Sequence, residues 1–200
     1  MGMKQIRILL AAIFSLALAL PASAAKLSLA EISAYLNSLQ SASSDFTQVN
    51  SDGSVSTGKL FIKRPGRARF QYDNNNLLVL ASANRVAVFD PKSNQPPEQY
   101  PLTKTPLNLI LARQIDLSRS NMVTGYRSDG SNTIVTAQDP QHPEYGTIQL
   151  VFSEGPVTLK QWVITDESGQ KTSTILKNLK TGGNFGQLMF SIDAELARRR

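Results

Sequence analysis

From Phe46 almost to the end of the chain, apolar residues recur at every second position in short runs, and turn residues separate the runs. A period of two sends alternate side chains to opposite faces of a strand, so the pattern dictates β-structure, one strand after another. Across residues 55–64, Gly58, Leu60, Ile62 and Arg64 share one face, and Lys59, Phe61 and Lys63 share the other. Pro65-Gly66 is turn chemistry. Ala68, Phe70 and Tyr72 then alternate with Arg67, Arg69 and Gln71, which predicts a hairpin that is apolar on one side and basic on the other. Residues 77–83 and 85–90 pair across Ala83-Asn84. Further strands are expected over 122–127, 133–138, 147–152, 158–165, 171–179 and 187–192. They are set apart by turns such as Ser128-Asp129-Gly130, Glu154-Gly155-Pro156 and Gly182-Gly183-Asn184.

Two helices break the pattern. Ser28-Leu29-Ala30-Glu31 has the spacing of a capping box, and Leu29, Ile32, Leu36 and Leu39 follow as one apolar stripe. The serines at 41–44 end that helix. In mid-chain, Thr105 is placed to cap and Pro106 to open a short helix over 106–112. The total is a mainly β, largely antiparallel sheet of roughly ten strands with helices on one face. Such a sheet must close, fold into a sandwich or be covered. Two short helices cannot tightly fill the hollow of so wide a sheet, which points to an apolar cavity and a ligand.

The first 24 residues read as a leader, separate from a single domain over 25–200. Lys4 and Arg7 precede an uncharged apolar run over 8–20, and Pro21-Ala22-Ser23-Ala24-Ala25 offers small residues for cleavage after Ala24 or Ala25. Thirteen apolar residues fall short of the roughly 20 that a membrane span needs. Without Lys4 and Arg7, 19 of the 21 bases face 15 acids, a formal charge of +4, and three of those bases are Arg198, Arg199 and Arg200. So modest a balance, on an exported chain, gives no reason to expect a nucleic-acid partner. Lys59, Lys63, Arg64, Arg67 and Arg69 still form one local basic cluster, whose plainest reading is a solvated sheet face.

Catalytic chemistry is thin. The chain has no cysteine and one histidine, His142, set between Pro140 and Pro143 in a turn. No nucleophile elbow, HExxH helix, P-loop or dinucleotide glycine pattern is present. The expectation is a protein that is not an enzyme, with no metal and no cofactor.

A leader, a capped helix, Phe46-Thr47-Gln48, then Gly58-x-Leu60-x-Ile62-Lys63-Arg64-Pro65-Gly66-x-x-Arg69-Phe70, then Thr105-Pro106-Leu107: this order of residues resembles the periplasmic outer-membrane lipoprotein carrier family, LolA. The resemblance implies a curved, unclosed antiparallel half-barrel of about eleven strands, with a helical lid over an apolar cavity. It implies a periplasmic monomer that takes acylated lipoproteins from an inner-membrane ABC-type release complex. The cargo's acyl chains are shielded and passed to an outer-membrane lipoprotein receptor. The family's functional arginine falls on Arg64, whose implied role is to latch the lid through backbone carbonyls. Phe70 matches an aromatic position and Leu107 an apolar lid position. Leu60, Ile62, Ala68, Phe70, Tyr72, Leu107 and Ile110 are the cavity candidates. Asn108 and the triple-arginine end depart from the family pattern.

The residues bear on the latch independently. Arg64 has the parity of Leu60 and Ile62, so it points to the apolar side, where its donors need acceptors such as helix C-terminal carbonyls. The alternative is a strand-end arginine turning back to solvent beside Pro65. Two other functions fit the residues less fully. One is a lipid- or lipoprotein-sensing envelope-stress regulator of the same fold, which usually has a second domain; the other is a secreted hydrolase.

Overall fold

The computed structural model describes residues 25–73, 76–118 and 121–199; the expected leader, residues 1–24, lies outside them. Helix α1 (Leu29–Ser38) starts where the capping box places it. The Ser28 hydroxyl accepts from the Glu31 amide, and the Glu31 carboxylate accepts from the Ser28 amide at 2.8 Å. Five strands and a short edge strand follow: β1 (Ser41–Val49), β2 (Val55–Lys63), β3 (Arg67–Tyr72), β4 (Leu78–Ser82), β5 (Arg85–Phe89) and β6 (Glu98–Pro101). A link bearing α2 (Leu107–Leu111) leads to β7 (Val123–Ser128), β8 (Asn132–Gln138), β9 (Thr147–Glu154), β10 (Val157–Thr165) and β11 (Lys171–Thr181). The described chain ends in α3 (Ile192–Arg198).

All eleven strands form one antiparallel sheet in the order β6-β5-β4-β3-β2-β1-β11-β10-β9-β8-β7. Two up-and-down meanders, β1–β6 and β7–β11, are thus joined where β1 pairs with β11. The edge strands β6 and β7 do not meet, so this is an unclosed half-barrel. The inner face carries one continuous apolar core, in which Leu36 of α1 and Leu107, Ile110 and Leu111 of α2 pack with Leu60, Ile62 and Phe70. The two helices therefore lie on the hollow side as a cover.

Gly58 makes room for close packing on that face. It pairs with Phe46 on one side and Tyr72 on the other. A Cβ there would sit 2.2 Å from the Gln71 carbonyl oxygen and 2.8 Å from the Phe46 ring. Only glycine lets the ring lie flat across β2.

Three expectations about elements are corrected. Residues 187–192 are not a strand: a 3-10 turn over Gln187–Phe190 runs into α3, capped by the Ser191 hydroxyl on the Ala194 amide at 3.1 Å. Leu188, Phe190 and Ile192 alternate like a strand, but Ile192 and Leu196, four apart, both pack onto the outer face of β4 and β5. Thr105 caps no helix; its hydroxyl donates to the Leu102 carbonyl at 2.8 Å and closes the preceding turn. The helix ends at Ser38 before the serines, as expected, but β1 already begins at Ser41, ahead of the expected onset of the strand period at Phe46.

Candidate functional site

Arg64 follows β2 immediately and turns inward, buried, as its parity requires. Its Nε donates to the Ala112 carbonyl at 3.0 Å and its Nη2 to the same oxygen at 2.5 Å. Nη1 donates to the Leu36 carbonyl, and Nη2 also reaches Asn37 Oδ1 at 3.3 Å. Leu36 lies in the last turn of α1 and Ala112 directly follows α2, so one guanidinium binds the carbonyl ends of both covering helices. Helix ends of this kind present carbonyls without the usual i+4 amide partner and the negative pole of the helix dipole. Burial pushes the Arg64 pKa down, yet no titratable acid is among the acceptors just named. Among the described residues, neutral oxygens alone accept hydrogen bonds from this cation.

The backbone beside Arg64 adds to the attachment. The Arg64 amide donates to Gln40 O at 2.8 Å, and the Gly66 amide to Leu111 O at 2.8 Å. The Arg64-Pro65-Gly66 turn therefore touches the C-terminal ends of both helices through side chain and main chain. Asn37 stitches the cover to itself: its side chain donates to Ile115 O at 2.7 Å and accepts from the Ile115 amide at 3.0 Å. Ser33 Oγ accepts from the Leu117 amide at 2.9 Å. Neither residue stands out in the sequence, because a polar residue on a helix shows no periodic signal until its partner segment is in place.

A cleft of about 700 Å³ opens between the sheet and the start of α2. Phe70, Tyr72, Trp162, Leu107, Val79 and Tyr100 line it. Its floor is an aromatic cluster, with Phe46–Tyr72, Phe46–Phe70 and Phe70–Trp162 ring centroids 5.1, 5.8 and 6.2 Å apart, all edge-on. The Tyr72 hydroxyl donates to Gln48 Oε1 at 2.8 Å, and burial pushes its pKa up to about 12. Of the seven cavity candidates, Phe70, Tyr72 and Leu107 border this space. Leu60, Ile62 and Ala68 instead pack in the core beneath the helices, and Ile110 packs down onto that core from α2. The hollow is thus part open and part filled by the cover's own side chains.

The basic cluster divides between the two faces. Arg64 points in, while the outward residues meet the C-terminal segment rather than water alone. Lys63 Nζ donates to Phe185 O at 2.6 Å, and Phe61 stacks edge-on against Phe185 with centroids 5.4 Å apart. Arg69 donates to Met189 O at 3.1 Å and pairs with Glu195 at 3.4 Å. Glu195 also accepts from Arg198 and, at 2.7 Å, from Arg199. Lys59 keeps the plainer role, an exposed pair with Asp45. Arg198 and Arg199 thus grip Glu195 from within the C-terminal turn, and Arg199 also reaches the Asn76 carbonyl at 3.2 Å; Arg200 lies outside the described residues.

The family model of the outer membrane lipoprotein carrier protein LolA matches residues 37–193. An outer-membrane lipoprotein carrier protein of Pseudomonas aeruginosa is 27% identical over 202 aligned positions, covering 96% of this chain and 95% of that protein. Its counterpart in Pseudomonas syringae is 23% identical, with 94% of each chain covered. Among solved structures, a DUF1329 family protein from Desulfovibrio piger superposes with a TM-score of 0.50 at 12% identity, covering 83% of this chain and 95% of that one; this likeness concerns the fold alone. With a covered half-barrel, an inward arginine and a match across most of its length, this chain belongs to the LolA family of outer membrane lipoprotein carrier proteins.

Proposed function

We propose that this protein carries acylated lipoproteins across the periplasm, after export and removal of residues 1–24. It takes them from an inner-membrane ABC-type release complex and yields them to an outer-membrane receptor, and it does so without catalysis. The relatives' name, lipoprotein carrier, supports the cargo. The observation that carries the mechanism is the buried guanidinium bound to the carbonyl ends of both helices above an aromatic-floored cleft.

The energetics explain why a carrier needs such a contact. Each buried methylene contributes about 0.8 kcal/mol, so a myristoyl-length chain brings on the order of 10 kcal/mol. A binder that kept all of this could not release its cargo. Acyl chains entering the hollow displace the cover from Leu60, Ile62 and Ala68 and separate Arg64 from Leu36 and Ala112. Those losses offset part of the gain and leave affinity below that of the receptor. The open state is thereby a strained one, and handing over the chains lets the cover close again.

Arg64→Leu tests this reading. The variant should fold, accept acylated lipoprotein from inner-membrane vesicles, and transfer it poorly to receptor-bearing outer membranes. Transfer at the wild-type rate would contradict the latch.

A further inference from the structure

Glu154, at the end of β9, holds a carboxylate whose two oxygens are treated very differently. Oε1 accepts from Thr133 Oγ1 at 2.7 Å and from Ser128 Oγ at 2.8 Å. Oε2 is cut off from water and has no hydrogen-bond partner among the described residues. A buried, unpaired carboxylate oxygen is costly and calls for a donor. The stretch of chain that crosses this spot is the one entering α1. The Leu27 amide donates to Thr133 Oγ1 at 2.9 Å, the Tyr126 hydroxyl donates to Leu27 O, and Leu27 itself is buried. Lys26 does not supply the missing donor, because its ammonium rests 3.3 Å above the centre of the Tyr126 ring and faces Tyr126 O.

We infer that Glu154 is the docking site for the α-ammonium of the processed chain, carried by Ala25 once residues 1–24 are removed. The inference rests on the cleavage proposed above. Ala25 stands two residues before the Leu27 amide, which gives about 7 Å of extended chain. The carboxylate begins two hydrogen bonds, 2.9 and 2.7 Å, beyond that same amide. A primary ammonium folded back over Thr133 brings three donors and a positive charge to an oxygen that lacks both. In the unprocessed chain the same atom is a neutral amide nitrogen with one donor.

The consequence reaches the cover. Ser28 caps α1 directly after Leu27, so the docked terminus pins the N-terminal end of the helix whose other end Arg64 holds. Processing thus creates a fixed hinge at one end of α1, opposite the releasable contact at the other.

The test compares two purified chains, cut by a protease from fusions, that begin at Ala25 and at Ser23. Denaturant unfolding should give the Ala25 chain an unfolding constant on the order of tenfold lower. N-acetylation of Ala25 should erase the difference, and so should Glu154→Gln in both chains. Equal stability of the two starts, or a difference that survives acetylation, overturns the docking; the acetylated wild type decides even if the Gln variant folds poorly. Both starts are made in vitro, so the result does not depend on processing in the cell. The mass of the exported protein reports cleavage separately, and a chain still carrying residues 1–24 would defeat the processing reading alone.

Discussion

Arg64 and Arg69 sit on neighbouring segments of one hairpin, face opposite ways, and fasten different things. Arg64 holds the inner cover through three neutral oxygens. Arg69 holds the outer helix α3 through a carboxylate that is 4% exposed, itself gripped by Arg198 and Arg199. Burial pushes the Glu195 carboxyl up, but hydrogen bonds and charge from Arg198, Arg199 and Arg69 outweigh it and bring the pKa to about 2. The outer fastening therefore sets charge against charge, and removing either Arg69 or Glu195 strands the other in a dry site. The inner one sets a cation against neutral oxygens, so parting them strands no buried counter-charge. One arrangement suits a permanent joint, the other a joint that opens.

The contrast can be broken most severely from outside. Glu195→Ala should cost about 3 kcal/mol by leaving Arg69 buried without its counter-charge, read as a lower denaturant midpoint. Lowering the pH should act on the same joint. A depressed carboxylate pKa gives stability that is present above the unfolded value near 4.5 and lost as pH falls through about 2. Protection of the α3 amides, relative to their intrinsic exchange at each pH, should therefore fall between pH 4.5 and about 2, while the Arg64 contacts to the C-terminal ends of α1 and α2 do not titrate in that range. Loss of protection in α2 over the same range as in α3 would erase the distinction.

On the inner face the expected stability effects are smaller. Arg64→Leu removes hydrogen bonds to the Ala112 and Leu36 carbonyls but adds an apolar side chain to an apolar face, for a net cost of about 1 kcal/mol. The functional effect, failed transfer, should be far larger than that. Smallest is Tyr72→Phe, which loses the bond to Gln48 at the rim of the cleft and should cost about 0.5 kcal/mol. Affinity for a fluorescent single-chain lipid should stay within about twofold, because the aromatic floor remains.

Much of the fold was legible because strands announce themselves by period. The parity of Leu60, Ile62, Arg64, Ala68, Phe70 and Tyr72 placed every one of them on the inner face. The capping box likewise fixed the start of α1. What misled was the same signal where it was accidental: Leu188, Phe190 and Ile192 alternate, yet Ser191 caps a helix over the very next residue. What stayed hidden depends on partners distant in sequence. Nothing near Arg69 announces Glu195, 126 positions on, so a basic stripe that is a seat for α3 looks like a solvated surface. Asn37 and Glu154 are silent for the same reason. Parity also says which side a residue takes but not whether that side is filled, and so Leu60 and Phe70 looked alike though only Phe70 borders open space.

The central claim is that Arg64 closes the cover in the empty protein and releases it when acyl chains enter. The chain has no cysteine, so Ser38→Cys on α1 and Gln71→Cys on β3 allow one spin-label pair to span cover and sheet. Pulsed distance measurement should give a short, narrow distribution in the empty protein. It should lengthen on loading with acylated lipoprotein, and lengthen without cargo in Arg64→Leu. An unchanged distance in both the loaded protein and the empty Arg64→Leu variant would contradict the account.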